Sequence, residues 1–116
     1  MTLQQLKYLV TVAQYKNITA AAEKLFISQP MRGRTDEEIN AERAQAVRDV
    51  QCALGEEVQP LDTFFTDYDG EPLEFLGKSI MMMAHADVVH FCTGWESARG
   101  CRVERSAAEN YDVPIV

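Results

Sequence analysis

One six-residue segment constrains the fold of this chain more than any other. Residues 25–30 (LFISQP) end a stretch of helical apolar periodicity and also begin a strand–loop–helix pattern. Upstream, residues 3–15 repeat apolar side chains at helical spacing, and Thr19 is placed to cap a second short helix. One backbone segment cannot be helical and extended at once. Its assignment therefore decides which pattern organises the protein.

The pattern after this segment alternates strands and helices. Thr35 and Glu38 have the spacing of a capping box, an apolar helical face continues to Leu54, and Gly55 suits the helix stop. A second strand with its exit loop is predicted at 58–65, further strands at 87–92 and 113–116, and further helices at 73–84 and 101–110. Strands that alternate with helices predict a parallel sheet, and Pro60 predicts an edge position for the second strand.

The charge distribution disfavours one class of partner. The chain has 18 acidic and 11 basic residues, a net charge of −7, and residues 1–30 hold three lysines against one glutamate. The acidic excess therefore lies in the remainder, which should not attract duplex DNA through a long-range field. A local cluster such as Arg32 and Arg34 could still hold one small phosphate.

The cysteines and histidines predict neither disulfides nor a metal site. Cys52, Cys92 and Cys101 are odd in number and lack CxxC spacing, which favours reduced, buried thiols in a cytoplasmic protein. His85 and His90 are five positions apart and should not share a ligand face. The chain contains no apolar run of membrane length, and its N-terminus lacks a signal pattern. We expect no metal and no other cofactor, and no association with membranes.

A ligand site is expected at the carboxyl ends of the strands, because parallel sheets bind ligands in the crevice there. The loops predicted at that edge are 28–34, 66–72 and 93–100. In the first loop, Ser28 and Arg32 precede a capped helix whose N-terminus favours an anion.

Glu104 is the candidate for chemistry beside that crevice. It lies in the early turns of the last helix, where the helix dipole would favour its charged form, as a nucleophile requires. The alternative is an ion pair with Arg99, Arg102 or Arg105 on a solvated helix face.

Two families have motifs that match parts of the chain. The first set of matching residues is Leu3, Leu6, Tyr8, Val12, Ala13, Asn17, Thr19, Ala21, Ala22, Leu25, Ile27, Ser28, Gln29 and Pro30. Through these, residues 1–30 resemble the helix-turn-helix start of LysR-type transcriptional regulators. In that family a third helix follows and enters the major groove, whereas here residues 31–34 (MRGR) form a turn. The element that would read DNA is therefore missing.

The second set of matching motifs is FISQPMRG (26–33), DEE (36–38), LGKS (76–79), ADVV (86–89), Gly94-Trp95 and GCRVE (100–104). Through these, residues 24–116 resemble a small domain family of uncharacterised function, related to nucleoside 2-deoxyribosyltransferases and deoxynucleotide N-glycosidases. The resemblance implies that Glu104 attacks the anomeric carbon of the sugar, and that the early loop holds a 5′-phosphate. It also implies a homo-oligomer. The candidate substrate-binding residues are Ser28, Gln29, Met31, Arg32, Gly33, Gly94, Trp95, Ser97 and Gly100.

One position departs from the pattern of the catalytic relatives. They place an acid that serves the departing base eight positions before Asp87, where this chain has Ser79. A hydroxyl is a poor general acid at neutral pH. His85, Glu96 and Asp69 are the remaining candidate donors, and Asp87 is expected to bond backbone groups at the strand entrance.

These observations predict an α/β protein: a flavodoxin-like three-layer sandwich with a parallel sheet of about four strands. A helical appendage, 1–23, precedes the domain 24–116, and a fusion is suspected near residues 25–30. The predicted function is binding of a nucleoside or nucleotide, with cleavage or transfer at its N-glycosidic bond through Glu104. The rivals are a DNA-binding regulator fragment and a non-catalytic interaction domain.

Overall fold

The computed structural model describes residues 22–66 and 68–116, in which strands and helices alternate along the chain. The elements are β1 (Glu23–Ser28), α1 (Asp36–Leu54), β2 (Val58–Pro60), α2 (Pro72–Met83), β3 (Val88–Phe91) and α3 (Arg99–Asn110), with a 3₁₀ turn at Trp95–Ser97. The predicted helices in residues 3–23 lie outside the described residues, apart from positions 22 and 23.

The contested segment belongs to the sheet. Residues 25–28 lie in β1, and each of them is at most 2% exposed. β1 occupies the centre of a parallel sheet with strand order β2-β1-β3. A segment buried between two neighbouring strands cannot also form part of a helix-turn-helix.

The sheet has three strands in the described residues, so the prediction of about four strands in a flavodoxin-like sandwich is not confirmed. The predicted strand 113–116 contributes only an isolated parallel bridge between Ile115 and Val89. Two backbone hydrogen bonds accompany it, from Val89 N to Pro114 O and from Val116 N to Val89 O. Pro114 has no N–H to donate, which limits this short segment as a strand. Pro60 lies on the edge strand β2, as predicted.

Alternating side chains of the strands build an apolar core on each face of the sheet. Leu25 and Ile27 pack with Ala46 and Val50 of α1 on one face. Phe26 and its neighbours pack with Met83 of α2 and Ala108 of α3 on the other. Helices therefore cover both faces, and both loops that leave β1 and β3 emerge at the same edge.

Local signals set the ends of the helices. Thr35 Oγ1 accepts from Glu38 N at 3.1 Å, and Glu38 Oε1 accepts from Thr35 N at 3.0 Å, which is the predicted capping box. Gly55 ends α1 with a φ of 73°, which favours glycine. The start of α3 differs from the prediction: the helix begins at Arg99, so Gly100 lies in its first turn and not in the loop.

The three cysteines are free thiols, but the prediction that all are buried is wrong for Cys52, which is exposed on α1. Cys92 and Cys101 are buried near the carboxyl edge of the sheet. Within residues 22–66 and 68–116, no helix combines the length and apolar character required to cross a bilayer.

Candidate functional site

A cavity of about 620 Å³ lies at the carboxyl edge of β1 and β3, where the ligand crevice is predicted. Three parts of the chain form it: the loop after β1, the segment from the end of β2 into α2, and the loop after β3 with the start of α3. Its volume falls in the range of small-molecule sites.

Glu104 lies at the buried side of this cavity. Its side chain projects from α3 and is 8% exposed, and Oε1 accepts a 2.6 Å hydrogen bond from Ser28 Oγ at the end of β1. The alternative in which Glu104 pairs with an arginine on a solvated face is wrong. In the described residues, Arg105 pairs with Glu109, and Arg102 donates to Glu96 O.

Burial raises the pKa of Glu104, while the hydroxyls of Ser28 and Ser79 oppose that rise. The net shift in the pKa of Glu104 is therefore opposite to the effect expected from the helix dipole. Glu104 is the sixth residue of α3, and the dipole effect falls off within the first turn, whereas desolvation acts on the whole carboxyl.

Gln29 lines the cavity, but its side-chain amide is already hydrogen-bonded to residues of α1. Nε2 donates to Ile39 O and to Glu42 Oε1, both at 2.9 Å, and Oε1 accepts from Arg43 Nη1 at 3.3 Å. The side chain therefore fixes the loop after β1 and has little capacity left for a ligand.

Arg43 connects that loop to a second one. Its Nη2 donates to Leu61 O at 3.0 Å and to Thr63 Oγ1 at 3.1 Å, on the segment that follows β2. Burial lowers the pKa of Arg43, and Asp62 and Cys92 oppose this. The guanidinium of Arg43 thus fixes two walls of the cavity relative to each other.

Three arginines make part of the cavity cationic. Arg32 comes from the loop after β1, and Arg99 and Arg102 come from the start of α3. All three are exposed at the residue level, so they line an accessible part of the cavity. Arg34, which is predicted to hold a phosphate together with Arg32, instead pairs with Glu42 at 2.8 Å and donates to Pro30 O.

The start of α3 lies on the same wall. Ser97, Ala98 and the first residues of the helix line the cavity, and Ala98 supplies no side-chain cap. The first turn of α3 has no acidic residue. Backbone N–H groups and the helix dipole therefore add to the positive potential of the arginines.

An aromatic wall stands elsewhere in the cavity. Phe64, Phe65 and Phe75 line it, and the ring of Tyr68 meets Phe75 edge-on with centroids 5.0 Å apart. Lys78 does not line the cavity, but its Nζ lies 5.0 Å from the centroid of Phe65 and 4.6 Å from that of Tyr68. These contacts fix the rings that face the cavity.

The structure brings together most of the predicted site residues. Those that line the cavity are Gln29, Met31, Arg32, Gly94, Ser97, Gly100 and Glu104. Ser28 joins them through its bond to Glu104.

Gly33 and Trp95 do not line the cavity. Gly33 has a φ of 78° and forms the turn before α1. The ring of Trp95 packs against Phe91, with the guanidinium of Arg105 4.7 Å from its centroid. Both residues shape their loops from outside the cavity.

None of the candidate donors named in the sequence analysis lines the cavity, since His85, Glu96 and Asp69 all lie elsewhere. Ser79 stands where the catalytic relatives have an acid. It does line the cavity and interacts with Glu104. Asp87 accepts from Lys24 N at 2.8 Å, which is the expected backbone role at the strand entrance.

Several lining residues were not found by sequence reasoning. Thr63, Phe64 and Phe65 follow β2 in an irregular segment and line the cavity. Arg43 does not line it, but supports this segment from the middle of α1 through its bond to Thr63. The run of aromatic residues at 64–65 was a visible signal, whereas the contacts of Arg43 depend entirely on tertiary packing.

The cavity offers no metal ligand set. Within the described ranges, no group of three or more His, Cys, Asp and Glu side chains is arranged to hold a metal ion. Cys92 and Cys101 are close to the site, and burial raises the pKa of Cys92 to about 12 and also raises that of Cys101. Both are therefore protonated thiols at neutral pH.

Two family models match the chain and overlap at the contested segment. The model described as "Bacterial regulatory helix-turn-helix protein, lysR family" matches residues 3–34, and the model described as "Domain of unknown function (DUF4406)" matches residues 23–116. No curated protein and no solved structure matches the chain. The second model covers most of the sequence and includes all six described elements and the whole cavity. The chain therefore belongs to the family Domain of unknown function (DUF4406).

Proposed function

We propose that the cavity binds a nucleoside or its 5′-phosphate, and that Glu104 cleaves or transfers the N-glycosidic bond. The observation that carries the proposal is the placement of Glu104: a buried carboxyl, bonded to Ser28 at 2.6 Å, on the wall of a cavity of small-molecule size. Buried carboxyls with perturbed pKa values that face a cleft are characteristic of functional sites.

Two further features support a nucleotide as the ligand. Arg32, Arg99 and Arg102, with the start of α3, offer charge and N–H donors to a phosphate. Phe64, Phe65 and Phe75 offer apolar rings against which a flat base can stack. A nucleotide has a part that matches each feature: its phosphate is anionic, and its base is flat and aromatic.

The strand order also supports the proposal. The order β2-β1-β3 is the first part of the 2-1-3-4-5 order of flavodoxin-like sheets, in which the ligand binds between β1 and β3. The resemblance of residues 24–116 to relatives of nucleoside 2-deoxyribosyltransferases names the same carboxyl, Glu104, as the nucleophile.

The first test is thermal denaturation of the full chain with nucleosides, their 5′-monophosphates and ribose 5-phosphate. A ligand that binds the folded state should raise Tm progressively, by an amount equivalent to about 2.7 kcal/mol at a concentration of 100 Kd. Product release from stabilising ligands is then followed by chromatography. The absence of any Tm shift across the panel would favour the non-catalytic interaction domain.

Two variants test the roles proposed for Glu104 and Arg32. Glu104→Gln should reduce product to background with little change in Kd, whereas Glu109→Gln, on the exposed part of the same helix, should behave as wild type. Arg32→Ala should weaken 5′-monophosphates about tenfold and leave free nucleosides unchanged, because one charge-assisted contact is lost. Equal loss for both ligand classes would contradict the phosphate role.

A DNA-binding fragment is the second candidate, and the match of residues 3–34 to a helix-turn-helix model is the observation in its favour. It predicts duplex binding that weakens steeply with salt and falls when Lys7 and Lys16 are replaced with alanine. The position of residues 25–28 in a buried strand counts against it.

A further inference from the structure

The acids available to the cavity are few. Among residues 22–66 and 68–116, Glu104 is the only carboxyl that lines it. The other titratable lining groups are Cys101 and the guanidiniums of Arg32, Arg99 and Arg102. Enzymes that break glycosidic bonds ordinarily use two carboxyls, one of which protonates the leaving group.

No described lining group suits the role of proton donor. A guanidinium is not deprotonated in proteins and so cannot give a proton to a leaving base. Burial raises the pKa of the Cys101 thiol, so it donates its proton poorly at neutral pH. The Ser79 hydroxyl interacts with Glu104 but is a far weaker acid than a carboxyl. Among the described residues, the cavity therefore has a nucleophile without a partner acid.

Resting on the proposed function, we infer that the substrate is a nucleotide whose base leaves without being protonated, namely a 5′-phosphorylated N-ribosyl pyridinium. In such a compound the ring nitrogen already carries the positive charge. When the bond from C1′ to nitrogen breaks, its electron pair neutralises that nitrogen, and an oxygen of Glu104 bonds to C1′. Water then adds at C1′, the carboxylate is regenerated, and one proton is released to solvent.

The cavity is suited to both ends of this ligand. A cationic ring is attracted to the faces of aromatic side chains such as Phe64 and Phe75, and the 5′-phosphate is attracted to Arg32 and Arg99. The ring cation would also act on Glu104, whose pKa burial raises, and favour its nucleophilic form. Such a substrate compensates for the unfavourable burial of the carboxylate.

The test compares nicotinamide mononucleotide, a pyridinium, with its reduced dihydropyridine form and with uridine and adenosine 5′-monophosphates. Release of free base is measured by chromatography with the full chain. General acids contribute about 10²- to 10⁴-fold, so the pyridinium should react at least about 100-fold faster than the neutral bases. The Glu104→Gln variant should abolish release, and Glu109→Gln should retain it.

The outcomes separate this inference from the function on which it rests. Comparable release of the neutral bases would overturn the leaving-group inference and leave the glycosidase proposal intact. Tm stabilisation by nicotinamide mononucleotide without base release would also overturn the inference. Failure of every nucleotide to bind or react would overturn the proposed function itself.

A gain-of-function variant provides a second test. Ser79→Asp places a carboxyl beside Glu104, where one of the two acids would hold a proton. If a missing acid limits the reaction, this variant should gain release of uracil from uridine 5′-monophosphate. A folded variant that still cleaves the pyridinium and gains nothing with uridine 5′-monophosphate would contradict the inference.

Discussion

At the residue scale, the site depends on a carboxyl held where water cannot fully solvate it. Glu104 is 8% exposed and has the hydroxyls of Ser28 and Ser79 as its polar surroundings. Two neutral hydroxyls stabilise a carboxylate less than a paired cation would, so desolvation determines the direction of the pKa shift. The residue therefore binds its proton more tightly in the folded protein than in the unfolded chain.

This difference predicts a pH dependence of stability. Because the folded-state pKa lies above the unfolded value of about 4.3, the unfolded chain binds fewer protons in the interval between the two pKa values. The contribution of Glu104 to the free energy of unfolding should fall as pH rises through that interval, and then level off. Each unit of pKa difference corresponds to about 1.4 kcal/mol.

Urea unfolding of wild type and Glu104→Gln, from about pH 4 to about pH 8, measures this contribution. The variant should gain stability relative to wild type as pH rises. Glu109→Gln makes the same change on an exposed part of the same helix and serves as the control. A parallel pair of curves for wild type and Glu104→Gln would show that the carboxyl is not perturbed.

At the scale of elements, α1 does more than cover one face of the sheet. Arg43 projects from its middle and bonds the loop after β1 through Gln29, and the segment after β2 through Leu61 O and Thr63. These two segments supply neighbouring walls of the cavity. The shape of the site is thus set partly by a helix that also packs in the apolar core on one face of the sheet.

Arg43→Met should therefore destabilise the protein and also weaken ligand binding. The change leaves Gln29 Oε1 and Leu61 O without their donor, and we expect a loss of about 2–4 kcal/mol in the free energy of unfolding. Arg48→Met is the matched control on the same helix, where the exposed side chain bonds only Gln45, and it should change stability by less than about 0.5 kcal/mol. Chemical denaturation of both variants measures these changes in the free energy of unfolding.

The elements with strong local signals were predictable from sequence. Thr35 and Gly55 mark the ends of α1 through capping and a positive φ, and both signals involve residues close in the chain. The final strand was overpredicted, because four apolar-rich residues satisfy a pattern that Pro114 cannot complete with hydrogen bonds. The contacts of Ser79 and Arg43 join distant parts of the chain, and no local pattern specifies such pairs.

At the scale of the whole molecule, the C-terminal residues pair with the outer edge of β3. Residues 113–116 lie along β3, and Val113 and Ile115 pack against the core that α2 and α3 cover. His90 Nδ1 also approaches Val116 O at 3.2 Å. Among the described residues, no other segment pairs with this edge of β3, so loss of residues 113–116 would leave it unpaired.

Deletion of residues 113–116 should destabilise the protein by about 2–4 kcal/mol, from the loss of three backbone hydrogen bonds and of the partial burial of two apolar side chains. Increased light scattering at high concentration should accompany the loss, as the free edge pairs with other copies. Tyr111→Ala is the control, because that side chain is 83% exposed and should matter little to stability. Unchanged stability of the deletion would show that the bridge at Ile115 is dispensable.

The bond between Ser28 and Glu104 joins residues 76 positions apart. During synthesis, every strand and the first two helices leave the ribosome before the nucleophile does, and chains grow by about 5–20 residues per second. A chain released before residue 104, by a premature stop or a stalled ribosome, would lack the nucleophile whatever structure it had formed. Under the proposed function, the activity of an extract would therefore report only polypeptides that extend through Glu104.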